Sequence, residues 1–255
     1  MAVNDMPLAR HLLAANRLPA DRLETSGPQV ESAVTGFPDA YFLLHNSVWD
    51  WSLSHPNALE QKDALECTRR RLEQTRAPFL SIHLGFSAAQ VAFRDGMQRM
   101  SPILAGAELL DHVVRNAREL ASLLEVPLLL ENLDFNPTGA YDHICEPAFI
   151  HEAVTRADVF FLLDLAHAQV SASRLGYKLE DYLAALPLDR VRQLHLSGPR
   201  DRDGTLWDAH EPLREEDYAL LHDILKVTEP WSITLEYGKD EEELLGQLER
   251  LRAML

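Results

Sequence analysis

The sequence predicts an α/β fold, a (β/α) barrel of the TIM type, on three observations. From residue 40 onward, apolar runs of four to seven residues alternate with longer amphipathic stretches, the pattern of repeated βα units around a parallel sheet. Six of these runs, YFLLH, FLSIH, PLLLE, VFFLLD, VRQLH and WSITLE, finish on an imidazole or a carboxylate. The 255 residues suit one such barrel, and no linker interrupts the alternation, so a single domain over residues 1–255 is expected.

Taken in order, the opening residues offer no obvious strand, and PLARHLLAANRL reads as a helix. Strand-like runs follow near residues 22–25, 41–45, 79–83, 127–131, 159–164, 191–195 and 231–236. Between them the clearest helices are Asn57–Thr75, Gly106–Leu124, Glu146–Arg156, Leu179–Leu186, Glu215–Val227 and Asp240–Met254. Seven strands are one fewer than a closed barrel has. Either a short, degenerate first strand lies in the opening residues, or the barrel is seven-stranded with an open edge to be covered. The polar segment from Ser197 to Arg214 is long for a βα connection, which marks it as a functional loop.

Composition excludes several classes. Forty acidic against 24 basic residues give a formal charge of −16, which repels a phosphate backbone, so nucleic acid is not the expected partner. No apolar stretch reaches the roughly 20 residues of a membrane span, and MAVNDMPLARHLLAANR lacks a signal-peptide core, so a cytoplasmic protein with no membrane partner is expected. Only Cys67 and Cys145 are present, too few for a disulfide framework. GxGxxG, Walker and GxSxG patterns are all missing, and neither cysteine sits beside a histidine. Trp49 and Trp51, just past His45, read as loop packing that could also wall a substrate pocket.

The strand tips carry the chemistry. His45, His83, Glu131, Asp164, His195 and Glu236 close the six runs, and His167, Asp208 and His210 complete a set of nine metal-ligand residues. Each alone has an ordinary reading. A strand-end histidine can cap a backbone group, and a buried acid can pair with arginine, yet the strand tips supply almost no basic residues. An unpartnered buried charge costs several kcal/mol, and bound cations would offset it. Mixed carboxylates and imidazoles suit zinc, iron or manganese, and nine ligands at three or four apiece suffice for two or three ions. Glu131 lies midway through the strand order, the place for a bridging carboxylate. Asp164-Leu-Ala-His167 is expected to leave a strand tip and turn into a loop. The i, i+2 spacing of Asp208 and His210 puts both groups on one side of an extended chain. His11, His55, His112, His143, His151 and His222 read as surface residues.

The ligand order resembles that of endonuclease IV, within the xylose isomerase-like TIM barrel superfamily. By that resemblance His45, His83 and Glu131 hold one ion, Glu131, Asp164, His195 and Glu236 a second, and His167, Asp208 and His210 a third. The segments DRLETSG, FLLHNSVWDWSL, FLSIHLGFS, LLLENLDF, FFLLDLAHAQVSA, GYKLEDYLAALPLDRVRQLHLSG and LWDAHEP are similar, in order over residues 21 to 237, to the multinuclear non-haem iron-dependent oxidative enzymes. That resemblance implies an iron cluster that oxidatively modifies a ribosomally made peptide, often at cysteine, with a small-molecule substrate or a peptide-recognition partner protein as further expectations. Glu131, His45 and His83 would then be catalytic, since three protein ligands leave their ion room for substrate or oxygen. The chain departs from that family in having His167 where asparagine is usual, and in lacking a glycine-rich first strand.

Three alternatives use the same residues. Sugar isomerases and epimerases of the superfamily hold one divalent ion with four ligands, a set that Glu131, Asp164, His195 and Glu236 would satisfy. An endonuclease IV-like zinc hydrolase would use all nine. A non-enzymatic metal-binding protein on the same barrel is the third.

Overall fold

A computed structural model describes residues 1–46, 52–56, 58, 62–93 and 97–255. Trp49 and Trp51 lie outside the described residues.

Eight parallel strands close into a barrel. In chain order they are β1 (Ala2–Asn4), β2 (Arg22–Thr25), β3 (Phe42–Asn46), β4 (Leu80–His83), β7 (Leu128–Glu131), β8 (Phe160–Asp164), β9 (Val191–Leu196) and β12 (Ser232–Leu235), after counting two short hairpins. The missing eighth strand is β1, which lies between β12 and β2 and pairs with both. Of the two possibilities left by the sequence, a short first strand is the one realised. Three residues are too few to show an alternating pattern, and Ala2 and Val3 are both buried.

The helices surround the barrel: α1 (Pro7–Ala14), α2 (Gln29–Gly36), α3 (Lys62–Thr75), α4 (Gly106–Leu123), α5 (Pro147–Ala157), α6 (Leu165–Leu175), α7 (Leu179–Ala184), α8 (Glu215–Leu225) and α9 (Glu241–Met254). None of the described helices is long and apolar enough to cross a membrane. Helix α6 corrects the expectation that the chain turns into a loop after Asp164. The strand runs directly into a helix, because the Asp164 side chain accepts from the His167 backbone N–H and so caps it.

The presumed loop after residue 197 is likewise ordered. It is an antiparallel hairpin of β10 (Gly198–Arg202) and β11 (Thr205–Glu211). A Cβ at Gly198 would run into the carbonyl oxygens of Glu211 and Pro212, so only glycine permits the close approach at the hairpin base. A second hairpin, β5 (Val91–Phe93) with β6 (Met97–Arg99), follows β4.

Two apolar layers explain why the strands read as continuous apolar runs. Outward-facing residues such as Leu44, Ile82, Leu130, Leu163 and Leu235 join the large core beneath the helices. Inside the barrel, Ala2, Leu43, Phe79, Leu129 and Leu162 form a separate small cluster. Because side chains alternate along a strand, His45, Glu131 and Asp164, each two residues beyond Leu43, Leu129 and Leu162, point inward above that plug. Parallel pairing then sets their level: His83 is in register with Glu131, and Asp164 with His195.

Candidate metal centre

Eight side chains converge on Glu131 or on its neighbours at the carboxyl end of the barrel. Glu131, Asp164 and His195 are almost wholly buried. His45 Nε2 and His83 Nε2 lie 3.2 and 2.9 Å from Glu131 Oε2. The other oxygen, Oε1, lies 3.4 Å from His195 Nδ1 and 3.7 Å from His167 Nδ1. Glu131 therefore presents one oxygen to each of two histidine pairs.

Glu236 divides itself in a similar way, with Oε1 3.4 Å from His195 Nδ1 and Oε2 3.8 Å from His210 Nε2. Asp208 Oδ2 stands between His210 Nε2 at 2.7 Å and His167 Nε2 at 3.6 Å. The nine residues singled out in the sequence thus occupy one site. Asp208 and His210 share a side of β11, as their spacing requires, although His210 takes a left-handed backbone with φ of 47°.

Three histidines are fixed by their second nitrogen. The Ser81 hydroxyl points to the Leu44 carbonyl at 3.5 Å, which assigns the proton of His45 to Nδ1, 2.9 Å from Ser81 Oγ. His167 Nδ1 donates to the Asn132 carbonyl at 2.8 Å, and His195 Nε2 donates to Glu24 Oε1 at 3.0 Å. A histidine tied down in this way has one defined nitrogen left to offer an ion. Asn132 does more: its side chain accepts from the Asp164 N–H at 2.9 Å and donates to the Asp164 carbonyl at 3.0 Å, which joins β7 to β8 at the site.

The electrostatics are those of a site built for positive charge. Burial pushes the His45 imidazole down to about 4, so its contact with Glu131 is no ion pair at neutral pH. Burial and the nearby Asp208, Glu236 and Glu131 carboxylates raise Asp164 to about 7, even though His167 opposes them. Burial disfavours the charged forms of His167, His195 and His210, but their carboxylate neighbours win. His167 is held well above its usual range by Asp164 and Asp208, and His195 by Glu24, Glu236 and Glu131. His210 is raised to about 9, chiefly by its bond to Asp208.

Metal ions fit this arrangement. Glu131 Oε2 and Asp164 Oδ2 are buried without a hydrogen bond, the orphaned acceptors that a cation would satisfy. One ligand atom from each of His45, His83 and Glu131 lies within 4.8 Å of the others, and the same holds for Glu131, Asp164 and His195. Ligands roughly 2.1 Å from a shared ion lie at such separations from one another.

The sequence reading missed the supporting residues. Glu24 stands one position before the end of its strand, as His45 does, so the strand-tip rule could have found it. Ser81 and Asn132 carry no such signal, nor does Asn4, whose Nδ2 donates to Glu236 Oε1 at 3.0 Å. Of the histidines read as surface residues, His55 and His112 are half-buried, and His112 Nδ1 bonds the Ser54 carbonyl at 3.0 Å. Cys67 and Cys145 are both free, and Cys145 is buried.

Known proteins resemble the chain at two levels. In fold it is similar to a D-tagatose 3-epimerase-like protein, with a TM-score of 0.67 and 15% identity over 99% of this chain and 96% of that one. It is also similar to endonuclease IV from Thermus thermophilus, with a TM-score of 0.61 and 19% identity over 100% of this chain and 97% of that one. In sequence it is 34% identical over 156 residues to a UPF0276 protein of Caulobacter vibrioides, a match that spans 60% of this chain but only 56% of that protein. A UPF0276 protein of Bordetella pertussis is 32% identical over 186 residues, 70% of this chain and 63% of that protein. The family described as RiPP precursor modification enzyme MbnB/TglH/ChrH matches residues 25–255. The chain is therefore a member of the family described as RiPP precursor modification enzyme MbnB/TglH/ChrH, on a closed eight-stranded TIM-type barrel.

Proposed function

We propose that this chain is a multinuclear metal enzyme, with iron as the favoured metal, that oxidatively modifies a ribosomally made peptide. The observation that carries the reading is the division of the Glu131 carboxylate between His45 and His83 on one side and His195 on the other. A carboxylate so placed serves two ions. His45, His83 and Glu131 would hold the first, Glu131, Asp164, His195 and Glu236 the second, and His167, Asp208 and His210 the third. Bound iron would supply the one-electron chemistry that oxidation requires, whereas zinc would direct the same site towards hydrolysis.

The chain's own side chains do the positioning. His45 is uncharged at neutral pH and offers Nε2, because Nδ1 is committed to Ser81. Asp164 spends Oδ1 on the cap of α6 and keeps Oδ2 for the ion. His83 and His210 are the more exposed members, with side chains 19% and 35% accessible, so a peptide would approach from their side of the barrel mouth. The excess of acidic residues, 40 against 24 basic, favours a peptide over nucleic acid. A partner protein that delivers the peptide is part of this reading.

The four-ligand site of a sugar epimerase would leave His45, His83, Asp208 and His210 converging with no task. The test is anaerobic reconstitution with Fe(II), then exposure to air with a cysteine-bearing peptide. Oxygen uptake and a mass change in the peptide are expected. Activity with zinc alone, and none with iron, would overturn the oxidative reading.

A further inference from the structure

None of the nine candidate ligands comes from β1 or β2, yet each of these strands sends one polar side chain into the site. Glu24 of β2 is 3% exposed and accepts from His195 Nε2 at 3.0 Å. A carboxylate can only accept, so this contact keeps the proton on Nε2 and turns Nδ1 towards Glu131 and Glu236. Gln193 Nε2 ties both Glu24 oxygens to β9, at 3.0 and 2.9 Å, and the Thr234 hydroxyl ties Oε2 to β12. Asn4 of β1 donates from Nδ2 to Glu236 Oε1 at 3.0 Å, the same oxygen that lies 3.4 Å from His195 Nδ1.

Both contacts act on ligands assigned to the second ion. Glu24 also lies within 4.8 Å of a ring nitrogen of His45, but the hydrogen bond that orients His45 comes from Ser81. Residues 4 and 24 both precede the segment that matches the family, so the assignment rests on the geometry of this chain.

We infer that β1 and β2 form an orienting shell for one ion of the cluster, with Glu24 and Asn4 as positioning residues for His195 and Glu236. This rests on the proposed metal reading of the site. The shell makes binding at Glu131, Asp164, His195 and Glu236 separable from binding at the other two positions, and it gives the two strands that lack ligands a task.

The experiment is a stepwise titration of the full-length, metal-free chain with Zn(II) as the probe ion against a chromophoric chelator. Wild type should show two or three equivalents. Glu24→Ala and Asn4→Ala should each weaken one equivalent by about 10- to 100-fold and leave the others unchanged. Glu24→Gln keeps an acceptor oxygen for the Nε2 proton and should recover most of the loss, whereas Glu24→Met, of similar volume but without that oxygen, should not, although a merely space-filling role would require it to. Circular dichroism identifies any variant that fails to fold, and in that case Glu24→Met and Asn4→Ala decide the matter. Unchanged binding in Glu24→Ala, Glu24→Met and Asn4→Ala, or equal weakening of every equivalent, would overturn the positioning role while leaving the cluster intact. A wild type that binds no metal would overturn both.

Discussion

Nε2 of His45 and Oε2 of Glu131 are 3.2 Å apart, and each turns a lone pair towards the other. His45 is neutral at physiological pH and its one ring proton is used by Ser81, so nothing between the two atoms offsets their repulsion. A shared cation removes the conflict. His83 Nε2 lies 2.9 Å from the same oxygen.

Glu131→Ala should therefore remove more metal than any other single ligand change, because it takes a ligand from two ions. His210→Ala should remove one ion only. Metal-to-protein ratios of the two variants, measured side by side, check this, and equal retention would show that Glu131 does not bridge.

Metal uptake should release protons and strengthen as pH rises. In the metal-free protein His167, His195 and His210 are held protonated at neutral pH by their carboxylate neighbours, His210 up to about 9. An ion must displace those protons, so apparent affinity should climb by about tenfold per pH unit for each proton displaced. For His210 the climb should level off above about pH 9. Uptake in weakly buffered solution at pH 7, followed with a glass electrode, should show roughly three protons released. No release would contradict the assignment.

Asp164→Asn should separate metal binding from stability. The folded carboxyl is raised to about 7 from 3.8, so its stabilising contribution is complete below 3.8 and is lost as pH rises through 7. At pH 8 the metal-free protein thus carries a destabilising carboxylate. Asparagine retains a capping oxygen for the His167 N–H and removes the charge. The metal-free variant should melt at a higher temperature than metal-free wild type at pH 8, by on the order of 5 °C, while metal no longer raises its melting point as far. A lower melting point for the metal-free variant would count against the electrostatic account.

Much of this site was legible in the sequence because strand and chemistry coincide. His83, Glu131 and Asp164 end their strands, His45 and His195 stand one residue short of the end, and Glu236 directly follows β12. Period-2 alternation then aims them inward. What stayed hidden depended on tertiary partners. The three residues of β1 gain their meaning only by pairing with β12 and β2, which are distant in sequence. His167 read as a loop residue because the helix that carries it, starting at Leu165, is capped by Asp164, itself a strand residue. The hairpin of β10 and β11 read as a loop because its strands are polar and only partly buried. Glu24 and Asn4 act on residues 171 and 232 positions away, a relation that no local pattern records.

Charge should exclude abasic-site DNA as a substrate despite the likeness in fold to endonuclease IV. A net charge of −16 opposes the phosphate attraction that drives such binding. Incubation of the metal-loaded protein with abasic duplex DNA at physiological salt should give no cleavage at nanomolar enzyme. Robust cleavage would return the protein to the hydrolytic reading.

The central claim is that this barrel holds a multinuclear cluster, and elemental analysis tests it most directly. Protein purified without chelator, or reconstituted anaerobically with Fe(II), should carry two or three metal ions per chain. Less than about one ion per chain, with no gain on adding Fe(II), Zn(II) or Mn(II), would contradict the account.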